Sequence, residues 1–172
     1  TANQDVAVLN TNVLANGGTD GGKVVIVSGD KDVNLNQALV QTNGSTGRGG
    51  TILISGANRT LISGTEINAK GLIQGGIIKI GYDALNHTIP FSNFTSLDNN
   101  TILNTESLIG TASGGFIETS GHILNPLATI KAGEGGTWLL DPYNISIVDD
   151  STALSGTTYS TTYTSAVNSV IR

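Results

Sequence analysis

Two close pairs of acidic residues are the first candidates for chemistry in this sequence. Asp30 lies two positions before Asp32, and Asp149 lies next to Asp150. In a polysaccharide-degrading enzyme on a β-rich scaffold, carboxylates converge on one face, often with Arg or Lys, and bind calcium or transfer protons. Because turns favour aspartate, we interpret both pairs as solvent-facing acids of a turn and a tail. We therefore predict that the chain is not an enzyme.

Metal-binding patterns in the sequence are weak. Residues 17–22, Gly-Gly-Thr-Asp-Gly-Gly, resemble one calcium-binding nonapeptide turn, but such turns bind calcium only as stacked copies and no second copy occurs. His87 and His122 are far apart in the sequence and have no obvious partner ligands, so we predict no metal and no other cofactor. Trp138 is predicted to fill the core rather than to form a sugar-binding platform.

The most regular pattern is a pair of glycines followed by a short apolar strand. The pairs are Gly21-Gly22, Gly49-Gly50, Gly75-Gly76, Gly114-Gly115 and Gly135-Gly136. The pairs recur at roughly 20 to 40 residues, a period typical of a solenoid, in which one supersecondary unit stacks on copies of itself. We expect each pair to form a corner between strands, because corners often need the positive φ that glycine adopts easily.

Alternation along these strands assigns their two faces. Side chains at positions two and four after each glycine pair point the same way. These positions hold Val24 and Ile26, Ile52 and Ile54, Ile78 and Ile80, Ile117 and Thr119, and Trp138 and Leu140. Since all but Thr119 are apolar, we predict that they stack into one apolar column. The outward positions mix Val25, Leu53 and Leu139 with Lys79 and Glu118, which indicates a partly wet outer face.

Each coil is predicted to contain further strands. A second strand type precedes the glycine pairs at 13–17, 40–44, 67–71 and, shortened, 130–133, and segments 32–36 and 60–63 are candidates for a third. The stretch from Tyr82 to Phe94 breaks the pattern with a proline and aromatic residues, so we predict an extra loop or hairpin that projects from the wall. We expect coils over 1–147, interrupted at about 82–105, and a Ser/Thr-rich transition or frayed tail over 148–172, in which 165–171 forms a short helical turn or frays.

Composition argues against several classes of protein. The 172 residues carry a net charge of -5 with only eight scattered Lys and Arg, which does not suit a nucleic-acid partner. No apolar run approaches the length of a membrane-spanning helix. Cysteine is absent, and in a secreted solenoid that absence would avoid disulfides that obstruct export. Because the chain begins Thr1-Ala2-Asn3, we expect a mature product or an excised segment.

Two strings near the end of the chain are more specific than any single coil. They are Gly-Gly-Phe-Ile-Glu-Thr-Ser-Gly-His over 114–122 and Gly-Gly-Thr-Trp-Leu-Leu-Asp-Pro-Tyr-Asn-Ile-Ser-Ile over 135–147. Together they resemble a passage in filamentous-haemagglutinin-like exoproteins of bacterial two-partner secretion. The glycine-pair coils and the interruption at 82–94 are also similar to that family. The family's secretion-domain motifs, Asn-Pro-Asn-Gly and Asn-Pro-x-Gly, do not occur, so this segment is expected to lie downstream of that domain.

The resemblance implies an all-β fold, a right-handed parallel β-helix, secreted to the bacterial cell surface through an outer-membrane transporter. The implied function is a structural shaft or surface segment of a secreted adhesin, without catalysis. The implied partners are the transporter during export and neighbouring coils of the same longer chain. End-to-end self-association of copies is a further expectation, because open solenoid ends expose pairing edges.

Two other functions are possible from the sequence. The first is a binding module that uses Tyr82, His87, Phe91 and Phe94 of the interruption to contact a host-cell receptor or a glycan. The second is a β-helix enzyme that degrades polysaccharides. Six Asn-x-Ser/Thr sequons, at Asn43, Asn58, Asn86, Asn93, Asn99 and Asn144, add the hypothesis of glycosylation.

Overall fold

The computed structural model describes residues 4–109 and 113–143, together with the backbone of two short strands at 145–147 and 168–171. Within these residues the chain forms β-strands and turns but no helix, so no helix of the described part could span a membrane. The prediction of an all-β fold is therefore confirmed.

Fifteen strands form three parallel sheets of five strands each. The first sheet contains β1 (Val6–Leu9), β4 (Val33–Asn36), β7 (Arg59–Ser63), β10 (Phe94–Leu97) and β13 (Ile123–Pro126). The second contains β2 (Asn12–Leu14), β5 (Leu39–Gln41), β8 (Glu66–Asn68), β11 (Ile102–Asn104) and β14 (Thr129–Lys131). The third contains β3 (Lys23–Ser28), β6 (Thr51–Gly56), β9 (Ile77–Ile80), β12 (Phe116–Gly121) and β15 (Thr137–Pro142). The chain visits the sheets in turn five times, which defines a parallel β-helix of five coils.

The register aligns the predicted inward positions from coil to coil. Ile54 pairs with Ile26 of the preceding coil and with Ile80 of the following coil. The side chains of Ile52, Ile54, Ile78, Ile80 and Ile117 are completely buried, and those of Val24 and Ile26 nearly so. The first two sheets add Val33, Leu35, Val40, Ile67, Leu97 and Leu103 to the same core. The predicted apolar column is confirmed through the first four coils, where it runs along their centre, whereas Leu140 of the fifth coil is only partly buried.

The fifth coil departs from this pattern at Trp138. Strand pairing aligns Trp138 with the buried Ile117, so Trp138 occupies the inward position that was predicted for a core residue. Its side chain is nevertheless 37% exposed, and its indole Nε1–H donates a hydrogen bond of 3.1 Å to Oγ1 of Thr119. Thr119, the one polar residue of the predicted column, is thereby satisfied while fully buried. The prediction for Trp138 is only partly right.

The glycine pairs are explained by close approach between coils and not by positive φ. Among the paired glycines, only Gly135 has a φ in the left-handed region, at 65°. A Cβ on Gly21 would lie 1.9 Å from the backbone oxygen of Thr42 in the next coil. A Cβ on Gly75 would lie 1.7 Å from the backbone oxygen of Thr105. The expected positive φ at these corners is wrong for the other pairs, where glycine instead lets two backbones meet.

Left-handed residues do stack at a different corner, between the first and second sheets. Asn10, Gln37 and Gly64 have φ values of 49°, 50° and 53° and occupy equivalent positions in three successive coils. In the fourth coil Asp98 stabilises this corner. Its carboxylate accepts the backbone N–H of Gly64 at 3.0 Å and the hydroxyl of Thr101 at 2.7 Å.

These contacts predict an acid-sensitive contribution of Asp98 to stability. Burial raises the pKa of Asp98, but hydrogen bonds from Thr101, Gly64 and Asn100 outweigh burial and leave this pKa lowered. A carboxyl group with a lowered folded-state pKa stabilises the protein above its unfolded pKa of about 3.9, and this contribution disappears as the pH falls through the folded value. We expect Asp98→Asn to cost about 1 kcal/mol at neutral pH and much less near pH 2, measured by urea denaturation.

The exposed Asp30 provides the matched control for this experiment. Asp30→Asn should leave the free energy of unfolding nearly unchanged at neutral pH. If Asp98→Asn lowered the free energy of unfolding equally at both pH values, a role for the carboxylate charge would be contradicted.

The segment that leaves the repeat is narrower than the predicted interruption. β10 and β11 lie within 82–105 and pair with coils on both sides, so only residues 82–93 are extra. At the end of the chain, β16 (Ile145–Ile147) pairs in parallel with β17 (Asn168–Ile171). Residues 168–171 therefore form a strand and not the helical turn expected there. The remainder of the predicted tail lies outside the described residues.

Candidate functional site

The extra segment, residues 82–93, folds back across the outer face of the third sheet. Ile89 is 4% exposed and packs with Val27 and Leu53 of that face. The hydroxyl of Ser55 donates a hydrogen bond of 2.6 Å to the backbone oxygen of Pro90. The predicted extra loop is thus present, but it packs against the wall of the solenoid. Leu85 at its tip is 81% exposed and does not take part in this packing. We call residues 82–93 the covering loop.

Beneath the covering loop lies a buried cluster of three charged side chains. The register of β9 and β12 places Lys79 directly beside Glu118 on the outer face. Lys79 Nζ contacts Asp83 Oδ1 and lies 3.4 Å from Glu118 Oε2. Lys79 is 6% exposed, Asp83 2% and Glu118 0%. We call these residues the charged triad, which brings two acids and one amine together out of water.

Asp83 anchors the covering loop around its own carboxylate. Oδ1 accepts the backbone N–H of Asn86 at 3.1 Å, and Oδ2 accepts the hydroxyl of Thr88 at 2.6 Å. Burial by itself raises the pKa of Asp83, but the hydrogen bonds from Lys79, Thr88 and Asn86 outweigh it and hold the pKa well below its ordinary value. The loop conformation therefore depends on the carboxyl group that also contacts the lysine.

Glu118 has one satisfied and one unsatisfied oxygen. Oε1 accepts the backbone N–H of Ala84 at 2.8 Å and the hydroxyl of Ser120 at 3.0 Å. Oε2 is buried and forms no hydrogen bond within the described residues, although Lys79 Nζ is 3.4 Å away. The Phe116 ring closes another side, with its centroid 5.5 Å from Nζ. Glu118 Oε2 is therefore an unused acceptor oxygen close to the amine.

Sequence reasoning placed Lys79 and Glu118 on a partly wet outer face and did not connect them with Asp83. The available signal was the presence of opposite charges at equivalent outward positions of two successive third-sheet strands. The path of the covering loop was not readable from the sequence, and this path both brings Asp83 to the cluster and excludes water.

Three of the four residues predicted for binding come together in an aromatic cluster. The Tyr82 ring centroid is 5.4 Å from that of His87 and 4.7 Å from that of Phe91. Phe94 lies elsewhere: it begins β10, where its neighbour Thr95 points into the core. The structure therefore does not join Phe94 to the other three predicted residues.

Two residues that sequence reasoning did not assign to binding extend this cluster along the solenoid. His122 lies 4.5 Å from Phe91 between ring centroids, and Tyr143 stacks on His122 at 5.3 Å and 14°. His122 and Tyr143 directly follow β12 and β15 at equivalent positions, so their equivalence was visible in the repeat, whereas Tyr82 lies one position earlier in its coil. We call the five rings, which are His87, Tyr82, Phe91, His122 and Tyr143, the aromatic stack.

The candidates for metal binding and acid-base chemistry have other surroundings. Two rings of the aromatic stack separate His87 from His122, and no group of three His, Asp or Glu in the described part of the chain is placed to hold a metal. Asp20 Oδ1 accepts the backbone N–H of Arg48 at 2.7 Å. Asp32 accepts Arg59 Nε–H at 2.9 Å, and this hydrogen bond holds the pKa of Asp32 below its ordinary value.

Asp30 is exposed beside this surface ion pair, which agrees with the interpretation of Asp30 and Asp32 as surface acids. The second acidic pair, at 149 and 150, lies outside the described residues.

Docking of the covering loop through Ile89 makes a local prediction. Ile89→Asp should release the loop, because a carboxylate cannot replace the buried contact with Leu53, while the coils beneath stay folded. We expect faster hydrogen exchange at residues 83–89 and new proteolysis near Leu85, with an unchanged far-UV circular dichroism spectrum. The control is Leu85→Asp at the exposed tip. Equal exchange rates in the two variants would contradict a docked loop.

Fold and site together define the class of protein: a parallel β-helix in which one loop covers a buried charged triad and an aromatic stack follows one corner. No family model, no curated protein and no solved structure matches this chain.

Proposed function

We propose that this chain is a structural segment of the shaft of a secreted bacterial adhesin and has no catalytic role. The observation that carries the proposal is the parallel register kept through all three sheets over five coils. Such a stack is quasi-one-dimensional, since each coil contacts only its neighbours, and it grows in length by adding coils. Length and stiffness are the properties that a shaft requires.

The same register supports a route of export and assembly. Each folded coil offers three strand edges to the next segment of chain, so the protein can fold progressively as it leaves an outer-membrane transporter of the two-partner type. Ordering outside the cell opposes return of the chain without any nucleotide hydrolysis. The strings at 114–122 and 135–147, which resemble this family, and the absence of cysteine support this location at the cell surface.

The chemistry of the described residues supports the absence of catalysis. The charged triad is the most densely charged buried site, but the covering loop excludes a substrate from it. At the surface, the Asp32 carboxylate is held in a structural contact with Arg59.

An export experiment tests the proposal. The coils, fused downstream of a two-partner secretion domain and expressed with its transporter, should reach the cell surface and resist protease there. Retention of the fusion inside the cell, when the secretion domain alone is exported, would contradict the proposed route. Digestion of the surface-exposed coils at a low protease concentration would contradict the proposed shaft function.

A second candidate function is contact with a host receptor or a glycan through the aromatic stack. The observation that favours it is the exposure of Tyr143, at 60%, beside the exposed His122. Under this function, His122→Ala combined with Tyr143→Ala should reduce attachment of bacteria to host cells. Phe94→Ala, which lies outside the stack, is the control. Unchanged attachment in the double variant would remove this candidate.

A further inference from the structure

The charged triad has the three parts that an amide condensation needs inside a folded protein without an external enzyme: an amine, a carboxyl group and a proton carrier. The amine of Lys79 contacts the carboxyl group of Asp83, with Oδ1 bonded to the carbon that an amine would attack. Glu118 Oε2 lies 3.4 Å from the same nitrogen and has no hydrogen bond of its own. All three residues are almost completely buried.

We propose that Lys79 and Asp83 become joined by an intramolecular amide bond between Nζ and Cγ, formed in the folded protein with Glu118 as the proton carrier. The bond would cross-link β9 to the covering loop. This inference concerns a modification of the chain itself and is independent of the proposed shaft function.

The chemistry balances without an external reagent. Glu118 Oε2 accepts one proton from the Lys79 ammonium and passes it to Oδ2 of Asp83, so that the lone pair of a neutral amine forms the bond to Cγ of a neutral carboxylic acid. The displaced electron pair moves to Oδ1, where the N–H of Asn86, 3.1 Å away, stabilises the negative charge. The C–Oδ2 bond then breaks, and Oδ2 departs as water with the proton passed on by Glu118 and a second proton from the nitrogen. An ammonium and a carboxylate become an amide and water, and nothing is oxidised or reduced.

The position of Thr88 suits this step. Its hydroxyl donates to Oδ2 at 2.6 Å, the oxygen that leaves, while the backbone of Asn86 serves the oxygen that stays. The two oxygens of Asp83 are therefore distinguished by their surroundings.

Burial provides the driving force and protects the product. The Lys79 ammonium and the Asp83 carboxylate are held in a site from which water is excluded, and buried charges are costly even when paired. Condensation removes one positive and one negative charge from this site. Fixed contact between amine and carboxyl replaces a bimolecular encounter, which raises the effective concentration of the reactants by orders of magnitude. Exclusion of water by the covering loop slows hydrolysis of the new bond.

Tryptic digestion followed by mass spectrometry tests the proposal on the purified folded chain. Trypsin cleaves after free lysine but not after a lysine whose amine is acylated. The cleavage sites nearest the triad are Lys70, Lys79 and Lys131, with no other Lys or Arg between 80 and 130. We expect one peptide, 71–131, lighter than its sequence mass by one water. Separate peptides 71–79 and 80–131 of full mass would overturn the proposal.

Two variants identify the reacting groups. Glu118→Gln retains the amine and the acid but cannot carry the proton, so we expect cleavage at Lys79 and full mass. Lys79→Arg keeps a positive charge in the triad but cannot condense, so its intact mass should equal its sequence mass even if Glu118→Gln fails to fold. Linkage that persists in Glu118→Gln would overturn the role of Glu118.

A second dehydration product is distinguished by the same digest. A succinimide at Asp83 also loses one water, but it leaves Lys79 free and cleavable. Loss of water with cleavage after Lys79 would therefore overturn the amide bond. Chain kept unfolded in urea should show full mass, because the triad exists only in the folded protein.

Discussion

Ile54→Asp is expected to unfold the coils. Ile54 is completely buried between Ile26 and Ile80, and no cation of the described residues faces it in the apolar column. An aspartate there either buries an unpaired charge or opens the column to water, at a cost of at least about 4 kcal/mol. Since whole domains are stable by only about 5–15 kcal/mol, we expect most of the cooperative unfolding transition to be lost.

Val25→Asp is the matched control for this variant. Val25 lies on the third sheet one position from Ile26 but faces outward and is 45% exposed. Urea denaturation followed by circular dichroism should show a change within about 0.5 kcal/mol for this surface substitution. Equal destabilisation by the two variants would contradict the assignment of faces.

Gly75→Ala is expected to have the second-largest effect. The added Cβ would lie 1.7 Å from the backbone oxygen of Thr105 and 2.5 Å from the backbone nitrogen of Gly115. Both atoms belong to the next coil and are held by the sheets, so relief requires separation of two coils. We expect a loss of about 3 kcal/mol or more in the free energy of unfolding, from overpacking together with broken coil-to-coil hydrogen bonds.

Gly18→Ala makes the same chemical change where there is room for it. No atom lies within 4 Å of a Cβ built on Gly18, and its φ is outside the left-handed region. Its thermal unfolding should match that of the parent or rise slightly, because alanine restricts the unfolded chain. If both variants melted at the parental temperature, close approach between coils would not explain the glycine pairs.

The coils could be predicted from the sequence because their determinants are local and repeated. Alternation after each glycine pair identified the inward residues, as at Ile52 and Ile78, and the spacing of the copies indicated stacking. The third strand was also anticipated, at 32–36 and 60–63, where β4 and β7 now lie. The β-strands at Phe94–Leu97 and Ile102–Asn104 were hidden inside the apparent interruption, since the extra residues 82–93 shift them away from the spacing of the other coils.

The site could not be predicted to the same extent, because it depends on contacts between coils and on the path of one loop. Asp83 reaches Lys79 only because residues 82–93 turn back onto the sheet, and Glu118 joins them through the pairing of β9 with β12. The positive φ expected at the glycine pairs failed for a related reason. The demand for glycine comes from a backbone oxygen in the following coil, as Thr105 shows for Gly75, and no local pattern reveals that neighbour.

We propose that these coils act through their length and stiffness and not through a particular surface. In a full adhesin that contains them, the five coils can be replaced by five coils of an unrelated parallel β-helix with a different surface. Attachment to host cells, normalised to the amount of adhesin on the bacterial surface, is the measurement. The shaft account predicts unchanged attachment after the exchange, whereas loss of attachment at equal surface amount would contradict it.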